Sequence, residues 1–290
     1  FFMSKVAIVT DSNSGIRQEE GKKLGIYVLP MPFTIDGETF YEDINLTHSE
    51  FFDKLMSGAE VFTSQPLVGD VSKLWDDVLK EYDEIVYIPM SSGLSGSCQT
   101  AIMLANEYDG KVQVVDSQRI SVTQKWDVLD AIELGKQGKS AKEIKEILEA
   151  NKLNASIYIT VNTLEYLRKG GRITPAVAIL GGMMKIKPIL QIQGEKLDTF
   201  SKSRTLSKAT KIMIEAIQKD IEERLDPIEK GKNVHICIAY TYDQQPALEL
   251  KEELQQLYPN SNIICDPLSL SVSCHIGPHA LAIAACKKII

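Results

Sequence analysis

The sequence predicts an α/β fold in two parts: a parallel sheet flanked by helices, then a second α/β domain with a mixed sheet. Three observations carry this expectation. Short, wholly apolar runs alternate with helical patterns through the first half, as buried parallel strands and their crossover helices do. Three of those runs end in polar loops, at 11–14, 91–97 and 116–117. Past residue 153 the pattern shifts to glycine breaks, a proline-bearing strand and a hairpin turn at Gln193-Gly194. The boundary is therefore placed there, giving domains 1–153 and 154–290.

The first strand is expected at 6–10 (VAIVT), leaving through Asp11-Ser12-Asn13-Ser14-Gly15. A short helix over 17–24 precedes an extended stretch over 26–34, whose Pro30 and Pro32 confine it to a sheet edge. In Thr47-His48-Ser49-Glu50, Thr and Glu can satisfy each other's backbone N–H, a capping box that opens a helix to about Met56. Thr63-Ser64-Gln65-Pro66 leads into the next helix, to about Tyr82. The run 85–88 (IVYI) is β-branched and aromatic, as a central strand should be. The loop after it crowds four serines and two glycines into 91–97, and a helix follows from Cys98 to about Tyr108. A strand at 112–115 and a long helix at 122–136 come next. A second capping box, Ser140-Ala141-Lys142-Glu143, then opens a helix ending near Asn151.

In the second half a strand is expected at 156–161, a helical turn at 164–169 and a break at Gly170-Gly171-Arg172. A helix over 174–180 runs into Gly181-Gly182. The stretch 186–192 contains Pro188 and so reads as an edge strand, turning into 196–200. A long amphipathic helix covers 206–225, a strand 234–240, a helix 245–257 and a strand 262–265. The alanine-rich 278–288 reads as a closing helix.

With 290 residues, 44% hydrophobic and 24% charged, the chain can bury a large core. A net charge of −7 argues against a nucleic-acid or anionic-membrane binder, which would show a basic face. No apolar run approaches the ~20 residues that span a bilayer, and no charged-then-apolar leader opens the chain. Met3, after Phe1-Phe2, is the expected natural start. Five cysteines (Cys98, Cys237, Cys265, Cys274, Cys286), odd in number and never paired as C-x-x-C, point to free thiols and a cytoplasmic location.

A strand that ends in a Ser/Gly loop and feeds a helix aims free N–H groups and hydroxyls at one spot, which suits a carboxylate or phosphate. In parallel sheets ligands sit beyond the carboxyl ends of the strands, where the three polar loops are expected to gather. Thr63 and Ser64 lie nearby in sequence. The dinucleotide fingerprint is absent, since Gly93-x-x-Gly96 is only part of it, and a P-loop lysine is missing. Gly93-Leu94-Ser95-Gly96-Ser97 nearly matches a nucleophile elbow, with Asp266 and His275 following in hydrolase order. A serine esterase or thioesterase using Ser95 and His275 therefore stays open, as does a binder of phosphorylated metabolites. Cys274-His275 with His279 offers fewer convergent ligands than a zinc site needs, so no metal is expected. Arg172 reads either as a fork onto a carboxylate or as a loop anchor. His48 and His235 read as structural, Trp75 and Trp126 as core or interface residues.

Several stretches together resemble the DegV family of bacterial fatty-acid-binding proteins. They are Val9-Thr10-Asp11-Ser12, Phe62-Thr63-Ser64-Gln65-Pro66, Ser91-Ser92-Gly93-Leu94-Ser95-Gly96, Val115-Asp116-Ser117 and the run from Leu164 to Ile173. Ile186-Lys187-Pro188-Ile189-Leu190, Ser203-Arg204 and His275-Ile276-Gly277-Pro278 continue the match in the same order. The resemblance implies a two-domain, DegV-like protein that holds a long-chain fatty acid in a tunnel between its domains. It implies no cofactor and no catalysis of its own: the carboxylate is presented to a partner fatty-acid kinase for phosphorylation, feeding phospholipid synthesis. Carried over by position, Thr63 and Ser95 hold the carboxylate, with Ser64, Ser92 and Gly96 beside them. Arg172 and His275 stand at the mouth, and Arg204 is a candidate for kinase contact. The chain departs from the family where Thr123 and Lys125 replace a Gly-x-Gly, with Trp126 next, and where His279 replaces a glycine; the tunnel is expected to be reshaped there.

Overall fold

The computed structural model describes residues 5–180 and 186–290; Phe1-Phe2-Met3 and Gly181-Gly182 lie outside the described residues. The first half runs β1 (Val6–Asp11), α1 (Gln18–Leu24), β2 (Tyr27–Leu29), β3 (Pro32–Ile35), β4 (Glu38–Tyr41), α2 (His48–Met56) and β5 (Val61–Thr63). It continues with α3 (Val68–Val78), β6 (Glu84–Ile88), α4 (Ser97–Ala105), β7 (Val112–Val114), α5 (Ser121–Lys136) and α6 (Ala141–Ala150). Both expected capping boxes form, with Thr47 and Glu50 on α2 and Ser140 and Glu143 on α6.

Strands β2, β1, β6 and β7 make a wholly parallel sheet in that order. Because side chains alternate faces along a strand, Ile8, Val86 and Ile88 pack with Val128 of α5 and Ile144 of α6. Ala7, Val9, Ile85 and Tyr87 meet Trp75 of α3 and Cys98 of α4 on the other face. Burial on both faces is why these strands read as unbroken apolar runs.

A separate antiparallel sheet has the order β4-β3-β5. The stretch 26–34, expected as one edge strand, is thus two: β2 lies at an edge, but β3 is the middle of this small sheet. Pro32 fits because it is the first residue of β3, where its carbonyl still accepts from Ser64 N–H at 3.4 Å.

The second half runs β8 (Ala155–Thr160), α7 (Glu165–Lys169), α8 (Pro175–Leu180), β9 (Lys187–Ile192), β10 (Leu197–Ser203) and α9 (Leu206–Asp220). A π turn (Ile221–Leu225) extends α9 before β11 (Val234–Tyr240), α10 (Gln245–Leu257), β12 (Ile264–Pro267), α11 (Leu270–Ile276) and β13 (Leu281–Lys287). The sheet order is β10-β9-β8-β13-β11-β12, antiparallel except where β12 lies beside β11. One face packs on α9 and α10 through Met213, Ile217, Leu250 and Leu254. The opposite face meets α5 of the first half.

Two expectations for this half are corrected. Residues 281–287 form the interior strand β13, where a helix was expected. Leu281 and Ile283 face α9, while Ala282 and Ala284 lie on the α5 side, so small residues mark a crowded sheet face and helix propensity is overruled by packing. Strand β9 is interior too, between β8 and β10. Pro188 is tolerated because pairing with β8 begins one residue later, at Ile189.

Candidate functional site

Helix α11, which no sequence pattern announced, organises the site. Ser269 caps it, its Oγ accepting from Val272 N–H at 3.4 Å, and Gly277 ends it at φ +76°. His275 therefore sits in its last turn. Thr63, the final residue of β5, is held opposite by the pairing of β5 with β3, and its Oγ1 lies 2.7 Å from His275 Nε2. At the end of α7, a Cβ on Gly170 would fall closer than 3.0 Å to His275 Nδ1, and one on Gly277 equally close to the Tyr166 ring. Only glycine lets α7 and α11 approach this far.

Burial, reinforced by the charge of Arg172, pushes the His275 imidazole down to about 4, so it is neutral at pH 7. Its Nδ1 is buried without a partner. A stranded proton there is avoided when Nε2 carries the hydrogen, and we assign that tautomer. Nε2–H then donates to Thr63 Oγ1, leaving the threonine hydroxyl proton free to donate to something else.

Beside this pair opens a cavity of about 970 Å³, a figure that includes the open space at its mouth. Its floor is the inner face of the six-stranded sheet, with Ile157, Ile159, Ile192, Leu197, Ala239 and Ala282; the start of α5 lies over it through Ile120 and Val122. Polar groups gather at the Thr63–His275 side. Arg172 Nη1 donates to Gly170 O at 2.7 Å and Nε to Leu94 O at 3.3 Å, which places the guanidinium beside the Ser/Gly loop. Ser95 is in that loop, its Oγ donating to Ser97 Oγ at 2.9 Å and accepting from Ser97 N–H at 3.2 Å.

Of the expected site residues, Thr63, Ser64, Ser95, Arg172 and His275 line the cavity together. Ser92 is turned away, its Oγ donating to Asp116 Oδ2 at 2.6 Å and its N–H to Oδ1 at 3.2 Å. Gly96 precedes α4 outside the lining, and Arg204 is exposed just past β10. Sequence reasoning missed Asn13, Gln65, Ser121 and Ser271, which also line it. Asn13 Oδ1 accepts from Ser271 Oγ at 2.6 Å, tying the loop after β1 to α11. Beneath that loop Asp11 is wholly buried, accepting from Met90 N–H, Asn13 N–H and Gln124 Nε2, each at 3.0 Å. Burial still pushes its carboxyl up to about 6.

No hydrolase triad assembles. His275 Nε2 faces Thr63 instead of Ser95, and Asp266 pairs with Lys125 Nζ at 2.8 Å. His279 stands in a turn at φ +61°, edge-on to Tyr242, off the helix that carries Cys274 and His275. Among the described residues no group of three or more potential ligands could hold a metal.

A profile described as "Uncharacterised protein, DegV family" matches residues 5–288. The chain belongs to the DegV family. Its relatives include a DegV domain-containing protein of Staphylococcus aureus, 30% identical over 99% of this chain and 100% of that one. Protein DegV of Bacillus subtilis is 31% identical over 98% and 99% of the two chains. A fatty-acid-binding DegV family protein from Thermus thermophilus shares the fold at TM-score 0.88 and 28% identity, covering 98% of this chain and 99% of that one. DegV of Bacillus subtilis, a fatty acid binding protein, matches at 0.87 and 29%, over 98% and 100% of the chains.

Three departures of this DegV family member, Thr123, Lys125 and Trp126, lie on α5 and the fourth, His279, in the turn before β13; none of them lines the cavity. Thr123 Oγ1 donates to Ile120 O at 2.9 Å, tightening the first turn. Lys125 Nζ is clamped at 2.8 Å by both Glu20 and Asp266, joining α1, α5 and β12. Trp126 stacks on His235 with ring centroids 3.3 Å apart and donates from Nε1 to Cys237 Sγ at 3.2 Å.

Proposed function

We propose that this protein binds one long-chain fatty acid in the cavity and presents its carboxylate to a partner fatty-acid kinase. In this reading residues 1–153 supply the head-group loops and residues 154–290 the floor of the tunnel, in a carrier that acts in the cytoplasm without catalysis of its own. The observation that carries it is an apolar hollow beside which hydroxyls and a neutral imidazole meet at the Thr63–His275 contact. Fatty-acid binding by the family relatives from Thermus thermophilus and Bacillus subtilis supports it.

The magnitudes agree. A tail of about 15 methylenes at ~0.8 kcal/mol each supplies on the order of 12 kcal/mol before ordering costs. Hydrogen bonds from Thr63 and Ser95 to a charged oxygen add about 2 kcal/mol each. The tail thus sets affinity, while the head group sets orientation and favours an acid over an ester. Donors without charge also leave the carboxylate nucleophilic toward ATP on the kinase.

Native mass spectrometry of the purified protein tests the binding step. The expected spectrum carries a fatty-acid adduct; a ligand-free spectrum that stays empty after incubation with myristic, palmitic and stearic acids refutes it. For the presentation step, protein loaded with palmitic acid, a bacterial fatty-acid kinase and ATP should yield an acyl-phosphate that hydroxylamine traps. A loaded protein that yields none with any such kinase removes the kinase from the reading.

A further inference from the structure

We propose that the start of α5 is a second polar subsite inside the cavity, and that it selects an acyl chain bearing an oxygen at mid-chain, as a hydroxy fatty acid does. The inference rests on the fatty-acid reading above and names the class of acid. Ile120 caps this 16-residue helix and Ser121 and Val122 open it; all three line the hollow. An isoleucine at the cap offers no side-chain oxygen. The N–H groups of Ser121, Val122 and Thr123 therefore find no partner among the described residues. Ser121 is 4% exposed, and its Oγ makes no hydrogen bond among them either. A methylene tail lying across these donors would strand them, whereas an oxygen would satisfy them. The positive end of the helix favours an oxygen as well.

This subsite is distinct from the head-group grip. One turn beyond Ser121, Gln124 Nε2 donates to Asp11 Oδ1 at 3.0 Å, beneath the loop after β1. That loop carries Asn13, whose Oδ1 accepts from Ser271 Oγ at 2.6 Å. Ser271 and His275 both line the cavity, four residues apart on α11. At 1.5 Å per residue, about 6 Å of helix separates them. Ser121 thus belongs to the Asn13–Ser271 end, about one helical turn from the Thr63–His275 contact. An extended chain advances about 1.3 Å per carbon, given C–C bonds of about 1.5 Å at the tetrahedral angle. An acid gripped by Thr63 reaches the subsite with a carbon about four or five positions, or a little more, past its carboxyl.

The test titrates delipidated wild type and Ser121→Ala with palmitic acid, a series of mid-chain hydroxypalmitic acids, and the acid hydroxylated at its methyl end. Circular dichroism confirms folding. Alanine keeps the Cβ and the backbone at φ +54° and removes only the oxygen. In the wild type at least one mid-chain hydroxy acid should bind as tightly as palmitic acid or more so. The methyl-end hydroxyl, stranded among apolar side chains, should weaken binding about ten- to a hundredfold. Ser121→Ala should reverse the preference: the favoured hydroxy acid weakens about tenfold, and palmitic acid tightens because its tail no longer strands a hydroxyl. If every mid-chain hydroxyl costs as much as the methyl-end one, or if Ser121→Ala shifts all the acids by one factor, the subsite is overturned and the carrier reading stands. If Ser121→Ala fails to fold, Ser121→Gly, which suits a positive φ, decides by the same criterion. A wild-type protein that takes none of these acids overturns the carrier reading and the subsite with it.

Discussion

Replacing Thr63 with valine removes one hydroxyl and keeps the shape, so it isolates the head-group grip. Two effects follow from the 2.7 Å contact with His275. Toward a bound carboxylate the loss is one hydrogen bond to a charged acceptor, about 1.5–3 kcal/mol, or ten- to a hundredfold in affinity. Thr63 is half-buried, which favours the lower end of that range. In the empty protein His275 loses its one partner among the described residues, with Nδ1 already unpaired, and stranding a buried polar group costs about 1–3 kcal/mol of stability. Isothermal titration of delipidated protein with palmitic acid and with its methyl ester separates the roles. The acid should weaken ten- to a hundredfold and the ester hardly at all, because the ester carries no charge for the hydroxyl to meet. Equal losses for both ligands would mean that Thr63 only shapes the wall; no loss for the acid would remove it from the site.

Three further outcomes are expected. Gly170→Ala drives a methyl into His275 Nδ1 and should lower stability by about 1–3 kcal/mol while lifting the imidazole off Thr63; thermal melts and the His275 NMR signal check both. Arg172→Met removes the charge that helps hold His275 at about 4, so the imidazole should titrate at higher pH in an NMR titration; an unmoved midpoint would leave burial as the sole cause. Asp130 is pushed up to about 7 by burial and by the neighbouring Asp127 charge, from an ordinary 3.8. The sign follows: its stabilising, protonated state is full below pH 4 and lost as pH rises through 7. Asp130→Asn should therefore melt above the wild type at pH 8, with the gap closing by pH 4, and a gap that does not depend on pH would contradict the assignment.

Legibility in the sequence tracked how local each signal was. The capping boxes of α2 and α6 and the apolar runs of β1, β6 and β8 were readable because a few adjacent residues decide them. Strand β13 was not, because its alanines are set by α5 crossing the sheet, a contact nearly 160 residues away in sequence. Pro32 and Pro188 misled in the same way: proline marks where a ladder hydrogen bond is missing, and strand starts satisfy that as well as edges do. In the site, Ser95 and His275 carried their own chemical mark, a hydroxyl and an imidazole in near-hydrolase order, whereas Thr63 was placed by the family resemblance. Ser92 carried the same hydroxyl yet spends it on Asp116, and nothing within its loop distinguishes it from Ser95. The apolar floor was invisible, since alanines in separate strands become one wall only through register.

Under the proposed function, the placement of charge explains why the head group would be held by neutral donors. Formal charges near the cavity are kept out of it: Lys125 is clamped by Glu20 and Asp266, Arg119 by Asp127 at 2.6 Å, and Asp11 is spent on three donors beneath the loops. Among the described residues Arg172 alone brings a formal charge to the lining, and it is exposed, with two of its nitrogens donating to backbone carbonyls. A buried cation against the carboxylate would bind it more tightly and, by the same Coulomb attraction, make it a poorer nucleophile. In the proposed carrier, hydroxyls tethered to a neutral imidazole would give orientation without that penalty, and the methylene tail would supply the missing affinity. A carrier built this way should lose orientation before it loses ligand when its head group is damaged. In Thr63→Val, kinase-dependent acyl-phosphate formation should therefore fall further than acid affinity does.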